Sequence, residues 1–157
     1  MNRPQLEHII RAAAGNADAL DIVIIGSQSI LGAHPDAPEQ LLVSMEADVF
    51  PRDRPEDSIL IDGAIGERSI FHETFGYYAH GVDESTAVLP DGWKKRLVRV
   101  CNENTRGATG WCLEPHDLAV SKLVAAEVIQ ERLANTDCRS SETLRSANAR
   151  LERILGR

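Results

Sequence analysis

Residues 21–27 read Asp-Ile-Val-Ile-Ile-Gly-Ser, and no other stretch restricts the fold as much. Four consecutive β-branched residues suit a pleated backbone. With no polar residue alternating among them, both faces of the strand must be covered. Such a strand lies inside a sheet with layers packed on each side. Gly26-Ser27 marks a sharp exit from the sheet, and Ser-Gln-Ser-Ile-Leu-Gly after it suits a short helix.

A second strand is expected over residues 41–50, Leu-Leu-Val-Ser-Met-Glu-Ala-Asp-Val-Phe. Side chains at i and i+2 share a face of a strand, so Ser44, Glu46 and Asp48 line one face and Val43, Met45, Ala47 and Val49 the other. Two neighbouring carboxylates repel each other, and hiding them from water unpaired costs several kcal/mol. A metal ion, an Arg or Lys partner, or exposure at a sheet edge would account for them.

The other elements follow from periodicity and turn chemistry. Leu6, Ile9, Ile10 and Ala13 fall on one face of a first helix that closes on Gly15-Asn16. Ile59, Leu60, Ile61 and Ile65 suit an amphipathic helix with Ser58 as its N-cap, a strand being the alternative. Residues 75–90 read as a hairpin: a strand from Phe75 to Val82, a turn at Asp83-Glu84, and a second strand ending at Pro90. Near residue 111 a short strand leads into a helix starting at Glu114 or Pro115, with Leu118, Leu123, Val124 and Val128 facing inward. The expected fold is α/β or α+β, a mixed sheet flanked by helices.

A chain of 157 residues suits one domain with a real core. A formal net charge of −7 argues against a general nucleic-acid binder, which is usually basic. Arg139, Arg145, Arg150, Arg153 and Arg157 form a local basic run, readable as exposed helix surface or as an RNA contact. Cys101, Cys112 and Cys138 form no Cys-x-x-Cys pair, which suggests reduced thiols. No signal-peptide core and no apolar run near the ~20 residues of a membrane span is present, so the expectation is a cytoplasmic protein without a membrane partner.

Gly26 lets a backbone approach a ligand closely, and the amides after it form a natural anion site to which Ser27 can add a hydroxyl. Carboxylates at i and i+2 on a neighbouring strand can share a hard cation such as Mg²⁺. A phosphate cradle beside such a site suggests phosphoryl or nucleotidyl transfer. Gly26-Ser27 also has a plain reading, a tight turn with a Ser cap.

Gly-Ser at 26–27 after a strand, a short helix, and Glu-Ala-Asp at 46–48 together resemble the nucleotidyltransferase fold of the polymerase-β type. Ser44 stands where related proteins often carry Ser or Thr. Residues 113–126, Leu-Glu-Pro-His-Asp-Leu-Ala-Val-Ser-Lys-Leu-Val-Ala-Ala, look like a helix of uncharacterised bacterial nucleotidyltransferase-like proteins, relatives of type IV abortive-infection toxins among them.

The resemblance implies an enzyme that moves a nucleoside monophosphate from an NTP to an acceptor on a protein, RNA or small molecule, with a cognate antitoxin or partner protein beside it in a toxin-antitoxin or phage-defence pair. Glu46 and Asp48 would ligate Mg²⁺ or Mn²⁺, and Gly26, Ser27 and Ser44 would hold the triphosphate. A third acid usually sits on a later strand. Here His80 occupies that strand and Asp83 its end. Lys122 would approach the triphosphate with Asp117 orienting it, unless Asp117 only complements a helix dipole and Lys122 is solvated. A noncatalytic nucleotide-binding or partner-binding relative is the alternative function.

The expected organisation is a single nucleotidyltransferase-like domain over 1–157 with a divergent helical segment over 127–157. There Leu144, Ala147, Leu151, Ile154 and Leu155 share a face suited to a homodimer.

Overall fold

A computed structural model describes residues 1–136, and the chain divides into two compact units, Met1–Ser121 and Lys122–Arg157. The basic run, Cys138, and the apolar face from Leu144 to Leu155 with the homodimer expected through it lie outside the described residues. No helix among the described residues is long and apolar enough to cross a membrane.

The first unit is a five-stranded mixed sheet with helices packed on it. Its strands are β1 (Asp21–Ile25), β2 (Glu46–Pro51), β3 (Tyr78–Gly81), β4 (Val98–Val100) and β5 (Thr109–Cys112), in the spatial order β3-β2-β1-β5-β4. The apolar run is central, as its composition requires: Ile22, Val23, Ile24 and Ile25 are all buried. It pairs antiparallel with β2 and parallel with β5.

The helices are α1 (Arg3–Ala17), α2 (Ile30–Ala33), α3 (Ser58–Ile65), α4 (Ile70–Phe75) and α5 (Pro115–Thr136). Asn2 and Gln5 open α1 with a reciprocal capping box, each side-chain oxygen accepting the other's backbone N–H at 3.0 and 2.8 Å. The helix does not stop at Gly15-Asn16 but runs to Ala17, with Asp18 as a left-handed cap at φ 47°. Continuing it buries Ala17, which works against the roughly 1 kcal/mol that Gly15 costs inside a helix.

One face of the sheet carries Ile22, Ile24, Ala47, Val49 and Ala79, covered by Leu6, Ile9, Ile10 and Ala13 of α1 and Ile61 and Ile65 of α3. The other carries Val23, Ile25, Phe50 and Val82 with Trp93 and Leu113. Burying each such aliphatic side chain stabilises the fold by about 1.5–3 kcal/mol.

Several expectations are corrected. The second strand begins at Glu46, not Leu41; residues 39–41 form a turn of 3-10 helix, and Val43, placed on the apolar face by alternation, is 80% exposed. Met45 is also exposed. The expected hairpin is absent. Asp83 accepts hydrogen bonds from both the N–H and the hydroxyl of Ser85 and opens a 3-10 turn over Glu84–Thr86, so residues 87–90 never reach a strand partner. Strand β3 instead pairs in parallel with β2 after the long crossover through α3 and α4.

The strand preceding β5 is β4, antiparallel to it. Asp57, not Ser58, is the residue before α3, and Ile59 and Leu60 are exposed on it. Helix α5 begins at Pro115 as read, with Leu118 packed against the second core cluster, whereas Leu123 and Val128 are exposed rather than inward.

Candidate functional site

Strand register builds the site. Ile25, the last residue of β1, stands opposite Asp48, so Gly26 leaves the sheet beside that carboxylate. In the parallel pairing of β2 with β3, Glu46 stands opposite Tyr78 and Asp48 opposite His80. All four side chains belong to one sheet face, because alternation sends Ala47, Val49 and Ala79 into the core of the other.

The contact between Gly26 and Asp48 is closer than any side chain would allow. Gly26 has φ +73°, and a Cβ there would lie 2.1 Å from Asp48 Oδ2. The glycine is therefore needed twice, for its backbone angle and for the approach of the carboxylate. Beyond it, Ser27–Ser29 form a 3-10 turn in which Ser29 donates both its N–H (3.2 Å) and its hydroxyl (2.8 Å) to the Gly26 carbonyl. Ser27 is half-buried at the start of this turn. Gln28 is 1% exposed, and neither polar atom of its amide has a partner among the described residues.

Glu46, Asp48 and His80 each offer one ligand atom, and these atoms all lie within 4.8 Å of one another. His80 Nδ1 is 3.3 Å from Asp48 Oδ1 and 3.8 Å from Glu46 Oε1. Adjacent ligands of one six-coordinate cation bound at ~2.1 Å stand about 3 Å apart, so slight side-chain rotation would bring this set onto one ion. The His80 side chain is 50% exposed and that of Asp48 24%, which leaves the set open to solvent and to a further ligand.

Sequence reasoning missed Tyr78. Its hydroxyl donates to Glu46 Oε2 at 2.8 Å, leaving Oε1 toward His80. That hydrogen bond, with burial and the carboxylate charges, pushes the phenol pKa up to about 12. The Tyr78 ring stands 4.5 Å from that of His72, whose Nδ1 accepts the N–H of Arg68 at 3.0 Å. The i, i+2 spacing of Tyr78 and His80 was the available signal.

The remaining candidates of the first unit have other partners. Asp83 is exposed beyond β3 and caps its own turn, and the Ser85 hydrogen bonds hold its carboxyl below the usual range. Asp117, 5% exposed, accepts two 2.9 Å hydrogen bonds from Arg96. Arg96 thus neutralises Asp117. Ser44 precedes β2 and closes a local turn, its hydroxyl accepting the Glu46 N–H at 3.1 Å. Lys122 is exposed on α5 in the second unit.

A mixed sheet flanked by helices, with Gly-Ser after its central strand and an acid pair on the adjoining one, is consistent with a nucleotidyltransferase-like domain. The chain belongs to the family described as nucleotidyltransferase of unknown function (DUF6036), whose model matches residues 4–132. No curated protein and no solved structure matches it significantly.

Proposed function

We propose that this protein is a divalent-cation-dependent nucleotidyltransferase that moves a nucleoside monophosphate from an NTP to an acceptor hydroxyl. The observation that carries the reading is the convergence of Glu46, Asp48 and His80 beside the Gly26 turn. The donor set is charged, open on one side and fixed by the sheet, which suits a cation shared with substrate phosphate oxygens. Glu46 and Asp48 would hold Mg²⁺ or Mn²⁺, and the cation, when bound, would neutralise charge developing on the phosphate.

Gly26 keeps the backbone low enough for a triphosphate to approach, and Ser27 offers a hydroxyl beside it. Tyr78 holds the Glu46 carboxylate in place. Asp117, tied to Arg96, supports the start of α5 and is not assigned to the site; Lys122 is assigned no contact. The acceptor is a hydroxyl of a protein, an RNA or a small molecule. A role beside a cognate antitoxin or in phage defence rests on the resemblance of residues 113–126.

A second reading is favoured by one observation: His80, not a third carboxylate, completes the set. On that reading the domain binds nucleotide or a partner without turnover.

Calorimetric titration of the four NTPs with and without Mg²⁺, into wild type and Asp48→Ala, tests the proposal. Cation-dependent binding lost in Asp48→Ala is expected. Binding that survives the substitution would refute the assignment of the acidic strand.

A further inference from the structure

The third member of the donor set is a nitrogen. An imidazole where a carboxylate would complete an all-oxygen site changes both the charge and the softness of the set. Mg²⁺ takes oxygen ligands and dehydrates reluctantly, so it gains little from a ring nitrogen. First-row transition ions accept imidazole readily, and Mn²⁺ combines that tolerance with an affinity for carboxylates. We infer that His80 is a protein ligand of the bound cation and that it tilts the site from Mg²⁺ toward Mn²⁺. The inference rests on the proposed reading of Glu46 and Asp48 as cation ligands.

Three observations support it. His80 is held by strand register opposite Asp48, so its approach to the carboxylates is a property of the sheet. Its Nδ1 lies 3.3 and 3.8 Å from one oxygen of each acid, near the spacing expected of neighbouring ligands on one ion. The two further carboxylates that the sequence offered for the site are committed elsewhere: Asp83 to Ser85, and Asp117 to Arg96.

The competing explanation makes His80 a counter-charge for the two acids, a role in which its removal would leave cation binding unchanged or stronger. Ligation predicts the opposite.

The test measures Mn²⁺ and Mg²⁺ binding by the full chain without nucleotide, in wild type, His80→Ala, His80→Asp and Asp48→Ala. It is joined to pulsed electron paramagnetic resonance of the Mn²⁺-loaded protein. His80 is exposed, so the substitutions should fold, and circular dichroism with a urea midpoint checks that they do.

The expected result is ¹⁴N coupling of a directly bound imidazole in wild type, absent in His80→Ala. With it should come a loss of Mn²⁺ affinity of about tenfold or more, no smaller than removing an outer-shell partner typically causes. Mg²⁺ affinity should change less, and His80→Asp should shift the Mn²⁺-to-Mg²⁺ preference back toward Mg²⁺. Cation binding that is lost in Asp48→Ala but shows no nitrogen coupling and is indifferent to His80→Ala overturns this inference alone. Absence of binding by wild type overturns it together with the reading beneath it.

Discussion

Replacing Gly26 with alanine puts a number on the closeness of the turn and the carboxylate. Two separate penalties are expected. The backbone at φ +73° is a conformation that L residues rarely adopt, which costs on the order of 1–3 kcal/mol. The new Cβ would also meet Asp48 Oδ2 at 2.1 Å and Cγ at 3.1 Å, so the carboxylate must swing away, a further ~1–3 kcal/mol of overpacking.

These parts separate in a double-mutant cycle with Asp48→Ala. That change deletes Oδ2 and Cγ and leaves only Cβ, at an ordinary 3.4 Å. Gly26→Ala should therefore cost roughly 2–6 kcal/mol in wild type but only the backbone part in Asp48→Ala, a coupling of about 1–3 kcal/mol. Urea unfolding followed by circular dichroism gives all four stabilities. Equal penalties in both backgrounds, within about 0.5 kcal/mol, would refute the steric half of the reasoning.

Other outcomes follow from contacts already described. Tyr78→Phe removes the hydroxyl that orients Glu46 and should weaken Mn²⁺ binding by about tenfold, read by calorimetry; unchanged affinity would mean that Glu46 needs no such support. Arg96→Ala should lower the urea midpoint by leaving buried Asp117 without its two donors, and Arg96→Lys should recover only part of it, since an ammonium cannot match the bidentate fork; full recovery by lysine would count against that geometry. Burial, with the Arg11 charge adding to it, lowers the His8 pKa from 6.5, so below that pH the unfolded chain binds a proton that the folded one resists. Stability should be intact above pH 6.5 and fall as the pH drops through the interval down to the lower folded value, and His8→Gln should flatten that dependence in a pH series of urea midpoints. Gln28→Met exchanges an amide without partners among the described residues for an apolar chain of similar shape and should raise the stability read from urea unfolding by up to the ~1–3 kcal/mol such an amide costs; a fall would mean that the amide is satisfied by internal water.

The most legible parts of the chain were those whose physics is local. Ile22 to Ile25 had to be central because no residue among them tolerates solvent on either face, and central they are. Glu46 and Asp48 had to share a face by the pleat alone, and so they do. Apolar character without a partner was the main source of error. Leu41, Val43 and Met45 extend the strand pattern backwards, yet they are exposed, and hydrophobic identity does not say what will cover a residue.

The hairpin failed for a different reason. Asp83 and Ser85 satisfy the backbone locally, which competes with strand pairing that the sequence spacing would otherwise allow. Strand β4, three residues long, is too short to carry a period. Tyr78 escaped notice because its role depends on which strand lies next to β2, and the crossover through α3 and α4 settles that at long range.

Among the described residues, strand β3 is the end of the sheet, four residues long and hydrogen-bonded to a single neighbouring strand. Edge segments of this kind open more readily than the strands inside them, so amide protons there should exchange early. Opening β3 would carry off Tyr78 and His80 while Glu46 and Asp48 stayed on β2. Any ligand that bridges the two strands then binds the closed form alone and, by mass action, slows exchange at residues 78–81 more than in the sheet interior. The edge of the sheet would in that way act as a latch whose closure reports occupancy.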